Sequence, residues 1–272
     1  MPPAVFNPIG TTALITGASS GLGAGYAHEL ARRGADLVLT ARRRELLEDL
    51  AAELAEKYGT LATVIPLDLA RPGAVGELVA DLETRQITVG TLVNNAGFGT
   101  YGTVLGSDPT REAQQVTLNV QALTALTHAL LPGLISTART SKGSAALVNL
   151  ASTASFQPVP LMAVYAATKA YVLSYTEALW YETRATGLKV TAICPGPVST
   201  EFFAVAGRSA SSLRGMLTVD NVMRTSFAAL DRASTPPHAV SGRRNALLAG
   251  IGGRLPHRVV VTVAGHLNRT TG

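Results

Sequence analysis

The sequence predicts a single α/β domain, a doubly wound fold in which a mostly parallel sheet carries helices on both faces. Short runs rich in Val, Ile and Leu alternate with helical patterns, which is typical of βαβ units. Hydrophobic residues make up 47% of the 272 residues and charged residues 15%, so the chain can bury a large core. No Pro-, Gly- or Ser-rich linker interrupts the alternation, and residues 1–272 are therefore predicted to form one domain.

Each predicted strand is a short apolar run bounded by turn residues. The first strand is followed by a helical pattern over residues 21–33 that Gly34 ends, and a second helical pattern over 45–58 ends at Gly59. Ligands bind beyond the carboxyl ends of parallel strands, so the residues that follow these runs are candidates for a binding site. The predicted strands are residues 12–16, 36–41, 61–67, 91–95, 145–151 and 189–194.

Charge, cysteine content and hydropathy exclude several classes of protein. The net charge of +5 is modest and the arginines are scattered, so nucleic-acid binding is not predicted. The single Cys194 excludes an intrachain disulfide and a cysteine-based metal site, and the five histidines lack metal-ligand spacing. The first residues show no secretory signal. The most apolar helical stretch carries polar residues and a proline, so we predict no transmembrane segment and a cytoplasmic protein.

A glycine-rich turn, TGASSGLG at residues 16–23, joins the first strand to the first helix. Glycines allow a sharp turn, and they allow a pyrophosphate to approach the free N–H groups at the start of a helix. The turn therefore predicts a site for a dinucleotide. Its predicted contacts are Gly17, Ser19, Ser20, Gly21, Leu22 and Gly23.

The end of the second strand indicates which dinucleotide is preferred. Sites for NAD usually have an acidic residue here to bind the ribose 2′-hydroxyl, whereas arginine suits the 2′-phosphate of NADP. This strand ends in Ala41, Arg42 and Arg43 without a carboxylate. Three cations at residues 42–44 also interact unfavourably with the dipole of the helix that begins there, and a bound phosphate would offset this electrostatic cost. NADP(H) is favoured, and NAD(H) stays possible.

Polar side chains end the fourth, fifth and sixth strands, on the edge of the sheet where ligands bind. The sequence NNAG occupies residues 94–97, Ser152 follows the fifth strand, and PGPVST occupies residues 195–200. Asn and Ser at such positions are usually turn formers. The backbone and hydroxyl groups of the last motif could contact a nicotinamide.

The sequence YAATK places Tyr165 four residues before Lys169 on a predicted helix, so that the two side chains share one face. A tyrosine with a pKa near ~10 is a weak acid at neutral pH. A cation within ~4–6 Å favours the phenolate and lowers that pKa. The pair is therefore a candidate acid–base centre, although the same spacing also occurs in solvated surface pairs.

With these motifs in this order, the chain resembles the short-chain dehydrogenase/reductase family over roughly residues 12–200. The resemblance implies a seven-stranded Rossmann domain with Asn119, Ser152, Tyr165 and Lys169 as a catalytic tetrad. One departure is Ser20, which stands where many NADP-preferring members have a basic residue, so NADP preference depends on Arg42 with Arg43 as a helper. Further contacts with the cofactor are implied for Asp68, Leu69, Asn95, Ala96, Gly97, Tyr165, Lys169, Pro195, Gly196, Val198 and Thr200.

The resemblance implies hydride transfer between NADP(H) and a carbonyl or secondary alcohol. Tyr165 would donate the proton, Ser152 would polarise the oxygen, and Lys169 would lower the pKa of Tyr165. Asn119 would bind a water that links Lys169 to solvent. Family members commonly form dimers or tetramers, so a homodimer or homotetramer is expected.

The chain divides into three predicted regions. Residues 8–200 form the cofactor-binding and catalytic core, 199–219 a mobile substrate flap, and 250–272 a C-terminal extension. The flap carries Phe202, Phe203, Val205, Met216 and Leu217, which favours a hydrophobic small-molecule carbonyl substrate.

Other functions are weighed against this one. A ketoreductase acting on 3-oxoacyl chains carried by a protein or coenzyme A is the alternative enzyme, and a non-catalytic NADP-binding sensor is the alternative from another class. The glycine-rich turn lacks the lysine of a P-loop, which disfavours a nucleotide triphosphatase, and a hydrolase is not predicted either. No metal is predicted.

Overall fold

A computed structural model of the chain describes residues 5–141, 143–206, 216–252 and 256–270. It contains one seven-stranded sheet with strand order β3-β2-β1-β4-β5-β6-β7, in which every pairing is parallel. The predicted doubly wound α/β fold is confirmed, and the sheet is parallel throughout rather than mostly parallel. The strands are β1 (Thr12–Thr16), β2 (Asp36–Ala41), β3 (Ala62–Pro66), β4 (Val89–Asn94), β5 (Ala146–Leu150), β6 (Lys189–Cys194) and β7 (His238–Val240).

Helices cover both faces of the sheet. The predicted helices 21–33 and 45–58 are confirmed to within one residue at one end. Residues 200 onward add β7 and α8 to the fold, beyond the predicted 8–200 core. The helices are α1 (Gly21–Arg32), α2 (Arg44–Tyr58), α3 (Ala74–Thr84), α4 (Pro109–Val116), α5 (Leu123–Thr140), α6 (Ala163–Thr183), α7 (Phe202–Val205), α8 (Val219–Leu230), α9 (Arg243–Gly252) and α10 (His257–Thr270).

The sheet is buried on both faces, which explains its continuous apolar strands. Successive side chains of a strand point to opposite faces. Accordingly, Ile15 belongs to the core layer that includes α1 and α8, whereas its neighbour Leu14 belongs to the layer that includes α3 and α5. All residues of β4, β5 and β6 are buried.

A chain of buried polar side chains joins the centre of the sheet to two helices. The Asn94 Nδ2 atom at the end of β4 donates to Thr127 Oγ1 on α5 and to Asn149 Oδ1 on β5, both at 2.9 Å. Asn149 Nδ2 then donates to Thr176 Oγ1 on α6 at 2.9 Å. Because an unpaired buried polar group is costly, these bonds fix the positions of α5 and α6 against the strand ends.

The turn between β1 and α1 is held by backbone contacts that only glycine permits. Gly17 has a φ of +66°, in the left-handed region. A Cβ atom on Gly23 would lie 2.1 Å from the Gly17 carbonyl oxygen and 2.7 Å from Asn95 Nδ2. Asn95 Nδ2 itself donates to the Thr16 and Gly17 carbonyls at 2.9 and 3.1 Å. The helix start is thereby fixed against the end of β4.

A π-helical segment, Thr117–Ala122, joins α4 to α5 in one continuous helical run. By length and apolar composition this run, Pro109–Thr140, is the one helix among the described residues that could cross a membrane, and 33% of its most apolar window is buried. Leu126 and Leu134 of α5 pack in the core beneath the sheet. Helices in the core of a folded domain can have the same length and apolar composition, so these two properties are weak evidence for a membrane-spanning segment.

The predicted flap, 199–219, is described in part. It contains α7 and an isolated bridge between Val198 and Leu217, and α8 begins at Val219. Residues 207–215 of the flap lie outside the described residues. The predicted extension, 250–272, contains the end of α9 and α10.

The close approach at Gly23 gives a test of the turn. We expect Gly23→Ala to lower the free energy of unfolding by about 1–3 kcal/mol, because its Cβ would overlap backbone atoms. Gly76→Ala on α3 is a matched control, since a Cβ there meets nothing within 4 Å. In a helix it should change stability by less than about 1 kcal/mol, in the stabilising direction. Urea denaturation measures both, and equal stabilities for the two variants would contradict the packing described.

Candidate active site

A cavity of about 890 Å³ opens at the carboxyl ends of the strands. Each predicted cofactor contact except Gly23 lines it, and Gly23 packs directly behind the wall against Gly17. Three of the four predicted catalytic residues also line it, and Asn119 is buried behind them. The predicted residues in the wall are Gly17, Ser19, Ser20, Gly21, Leu22, Arg42, Arg43, Asp68, Leu69, Asn95, Ala96, Gly97, Ser152, Tyr165, Lys169, Pro195, Gly196, Val198 and Thr200.

The α1 end of this cavity has uncapped backbone donors. Ser20 is the N-cap residue of α1, but its side chain makes no capping hydrogen bond, and the first turn has no acidic residue. The first N–H groups of a helix are unsatisfied within the helix and attract anions. A Cβ atom on Gly21 would come within 3.1 Å of the Thr200 side chain. These features fit the pyrophosphate of a dinucleotide.

Ser152 is held by a short 3₁₀ turn, Thr153–Phe156, at the end of β5. Its Oγ accepts a hydrogen bond from the Ala154 N–H at 3.1 Å. Ser155 Oγ bonds the Lys169 carbonyl at 2.7 Å, which ties the turn to α6. The Ser152 hydroxyl also interacts with Tyr165.

Tyr165 and Lys169 lie on α6 as predicted, and both are buried. Burial raises the pKa of Tyr165 to about 12, and its hydrogen bond with Ser152 offsets part of that rise. The pKa of Tyr165 is therefore raised in the structure described, and the net lowering expected from the sequence is wrong. Lys169 Nζ lies 6.0 Å from the centre of the Tyr165 ring, and burial outweighs its charge. At neutral pH the phenol keeps its proton.

Lys169 extends to the end of β5. Its Nζ donates to the Leu150 carbonyl at 2.6 Å. Burial lowers the pKa of Lys169 to about 8, because the charged form loses water contacts. The ammonium form still predominates at neutral pH, so the site holds one buried cation.

Asn119 lies in the π-helical segment, where the sequence predicted the middle of a helix. Its Oδ1 accepts from the Phe98 N–H at 3.1 Å, and its Nδ2 donates to the Phe98 carbonyl at 2.9 Å and to Thr168 Oγ1 at 3.1 Å. These bonds join the chain beyond β4 to α6. Among the hydrogen-bonding positions of the Asn119 side chain, only the second lone pair of Oδ1 is left for the expected water. Neither the π segment nor this use of Phe98 was predicted from the sequence.

The two predicted arginines differ in their surroundings. Arg42 is exposed and makes no ion pair or hydrogen bond with another described residue. Arg43 is engaged by Ser19, Ser20 and Glu201. Sequence reasoning missed Glu201, because its contacts are with residues more than 150 positions away in the chain.

The end of the cavity beside Tyr165 and α7 is largely apolar. The Phe202 ring of α7 lies 5.3 Å from that of Tyr165 between centroids, at 55°. Val205 also lines the cavity, as the flap prediction required, and Phe203, Met216 and Leu217 are not among the described wall residues. The C-terminal helix α10 contributes Ala264 and Asn268, which were not predicted.

The family model for short-chain dehydrogenases matches residues 11–210 of the chain. The chain belongs to the short-chain dehydrogenases. Among curated relatives, sulfoacetaldehyde reductase 2 of Chromohalobacter salexigens is 37% identical over 198 residues, 71% of this chain and 74% of the relative. The very-long-chain 3-oxoacyl-CoA reductase of Anas platyrhynchos is 32% identical over 203 residues, 73% of this chain, and the match spans 63% of that relative's length.

A solved structure of a short-chain dehydrogenase is similar over nearly its whole length. This enzyme, from Sphingobium yanoikuyae in complex with NADPH, is 34% identical. The match covers 90% of this chain and 94% of that one, with a TM-score of 0.78. The fold and the oxidoreductase class of this short-chain dehydrogenase follow from these relationships.

In the part of the chain that the structure describes, no group of three or more His, Cys, Asp or Glu side chains is placed to hold a metal ion.

The depressed pKa of Lys169 predicts a pH-dependent stability. Its folded-state pKa of about 8 lies below the value of 10.5 for a free lysine. Between these values the unfolded chain binds more protons than the folded protein, so the free energy of unfolding rises with pH. Below pH 8 Lys169 is charged in both the folded and the unfolded state, so the free-energy cost of burying its charge has its full value.

We therefore expect the stability difference between wild type and Lys169→Met to shift in favour of wild type by roughly 2 kcal/mol between pH 7.5 and 9.5. Urea denaturation at each pH measures it. The exposed Lys57→Met variant controls for the loss of one lysine from the unfolded chain. A wild-type minus Lys169→Met difference that stays flat over this range would contradict the lowered pKa.

Proposed function

We propose that this short-chain dehydrogenase uses NADP(H) to interconvert a carbonyl and a secondary alcohol on a hydrophobic substrate, with Tyr165 as the general acid and base. The observation that carries the proposal is the position of Tyr165. It is buried, protonated at neutral pH and close to the Ser152 hydroxyl, in a cavity that also holds the glycine turn and an apolar wall.

The residues of the cavity fit a dinucleotide along its length. The uncapped α1 N-terminus suits the pyrophosphate, and Asp68, Asn95 and Gly97 suit the adenosine half. Thr200, beside Gly21, suits the nicotinamide half. When bound, the nicotinamide supplies or accepts the hydride at the carbonyl carbon.

Tyr165 donates its proton to the carbonyl oxygen in the reducing direction. Ser152 donates a hydrogen bond to the same oxygen and so stabilises the negative charge that develops there. The Lys169 cation stabilises the phenolate that remains after the proton is lost, and a solvent proton then restores the phenol. Asn119 acts as a positioning residue, because its amide holds Phe98 and Thr168 around the pair. A water at its remaining acceptor site would link Lys169 to solvent.

The preference for NADP(H) is supported by charge at the end of β2. No acidic side chain follows Ala41, and Arg42 lines the cavity without a partner among the described residues. The similar enzyme from Sphingobium yanoikuyae was solved in complex with NADPH, which favours the same cofactor here.

A second candidate substrate class is a 3-oxoacyl chain carried by coenzyme A or a carrier protein. The similarity to a very-long-chain 3-oxoacyl-CoA reductase favours it. The similarity to a sulfoacetaldehyde reductase favours a small aldehyde instead. The apolar side chains of Phe202 and Val205 fit a hydrophobic ketone or an acyl chain better. NADPH oxidation measured with simple ketones, 3-oxoacyl thioesters and sulfoacetaldehyde separates these classes, and no turnover of any carbonyl would favour the NADP-binding sensor.

A cytoplasmic location, a homodimer or homotetramer, and the absence of a nucleic-acid partner and of a transmembrane segment stay predictions. Gel filtration with light scattering tests the assembly.

The role of Tyr165 is tested by removing its hydroxyl. We expect Tyr165→Phe to lower kcat for ketone reduction by at least about 10²-fold, the size typical of a lost general acid. NADPH should still bind, because the ring and its packing are retained. Tyr181→Phe is the matched control, since Tyr181 lies exposed on the same helix. Residual activity of Tyr165→Phe within tenfold of wild type would contradict the assignment.

The role of Arg42 is tested with its neighbour as the control. We expect Arg42→Ala to weaken NADPH binding by roughly tenfold, since a charge-assisted hydrogen bond is worth about 1.5–3 kcal/mol and exposure reduces it. NADH binding should change little. Arg44→Ala should leave both affinities unchanged, because Arg44 pairs with Glu48 and does not line the cavity. An unaltered NADPH affinity in Arg42→Ala would count against a 2′-phosphate contact.

A further inference from the structure

Glu201 occupies the centre of a polar cluster at the cavity wall. Its Oε2 atom accepts a hydrogen bond from Ser20 Oγ at 3.0 Å and forms an ion pair with Arg43 Nη2 at 2.9 Å. The same Arg43 nitrogen donates to Ser20 Oγ at 2.9 Å and to Ser19 Oγ at 3.1 Å. All four residues line the cavity.

This cluster joins three separate parts of the fold. Ser19 and Ser20 belong to the turn before α1, Arg43 is the N-cap residue of α2, and Glu201 follows Thr200 at the start of α7. The bonds therefore connect the segment after β6 to the two turns where the cofactor's phosphates would bind. Phe202, the next residue, packs beside Tyr165.

The donors around Glu201 are those that a 2′-phosphate would use. A guanidinium at the end of β2 and hydroxyls of the glycine turn are typical ligands for a phosphate on the adenosine ribose. The Arg43 and Ser20 contacts hold the pKa of Glu201 below its usual range, so the carboxylate is ionised at neutral pH. An Nη2 atom engaged by this carboxylate is not free for a phosphate, and two anions at one site repel each other.

We infer that Glu201 is a specificity-determining residue that competes with the 2′-phosphate of NADP(H) for Arg43 and Ser20. This inference rests on the proposed use of NADP(H). Binding of the phosphorylated cofactor requires Arg43 to exchange the carboxylate for the phosphate, whereas binding of the unphosphorylated cofactor leaves the pair intact. Glu201 therefore weakens NADP(H) binding selectively and limits the discrimination that Arg42 provides.

The size of the expected change in cofactor affinity follows from the solvent exposure of the Arg43–Glu201 ion pair. Arg43 and Glu201 side chains are 45% and 56% exposed, so their pair is screened by solvent. Replacing Glu201 is expected to change affinity by the amount typical of one exposed ion pair, roughly two- to fivefold. The change should shrink as salt concentration rises.

The test uses the adenosine half of each cofactor, so that hydride transfer plays no part. Dissociation constants for 2′,5′-ADP and 5′-AMP are measured by calorimetry on wild type and Glu201→Gln. We expect Glu201→Gln to bind 2′,5′-ADP about two- to fivefold more tightly and 5′-AMP with unchanged affinity. Glu48→Gln, which removes an exposed carboxylate paired with Arg44 outside the cavity, should change neither affinity.

A double variant identifies the partner through which Glu201 acts. In an Arg43→Ala background, Glu201→Gln should no longer tighten 2′,5′-ADP binding, because the contested guanidinium is absent. An unchanged or weakened 2′,5′-ADP affinity in Glu201→Gln alone would overturn the inference, since Glu201 would then be neutral or would orient Arg43 for the phosphate. A wild-type protein that binds 5′-AMP as tightly as 2′,5′-ADP would instead contradict the proposed NADP(H) preference itself.

Discussion

The site depends on one constraint: polar side chains buried at the carboxyl ends of the central strands must find partners within the protein. Asn94 and Asn149 meet this constraint with each other and with threonines of α5 and α6. The half-buried Asn95 bonds the backbone of the glycine turn, and the buried Asn119 meets the constraint with Phe98 and Thr168. The bonds to α6 and to the glycine turn also fix elements that bear site residues. The ligand edge of the sheet is therefore rigid where the reaction requires it.

The same burial sets the acid–base properties of the site. Removing water from Tyr165 keeps its phenol protonated, and removing water from Lys169 lowers the pKa of its ammonium group, which donates to the Leu150 carbonyl. A protonated Tyr165 beside the Lys169 cation suits reduction, because the protein must first supply a proton and then stabilise the phenolate that remains. The expectation that the charge of Lys169 lowers the pKa of Tyr165 is replaced by an account in which desolvation dominates. A positive charge brought by an oxidised nicotinamide would favour the phenolate further.

Local sequence patterns predicted the central part of this fold because period and turn chemistry act over short distances. The runs that became β1, β2 and β6 have the predicted bounds, and the glycine turn opens α1 as expected. What escaped prediction depends on contacts between distant parts of the chain. The π segment around Asn119 has no sequence signature, Glu201 meets Arg43 only after folding, and α10 reaches the cavity through Ala264 and Asn268. The pKa of Tyr165 was misjudged because spacing reveals a neighbouring charge but not the extent of burial.

The central claim is that a hydride passes from NADPH to a carbonyl carbon while the protein supplies the proton. It is tested most directly by incubating the enzyme and a hydrophobic ketone with NADPH that carries deuterium at the transferable C4 position, and analysing the alcohol by mass spectrometry and NMR. The account predicts one deuterium on the carbinol carbon and a hydroxyl proton from solvent. An alcohol without deuterium on that carbon, or no alcohol from any carbonyl despite bound NADPH, would contradict it.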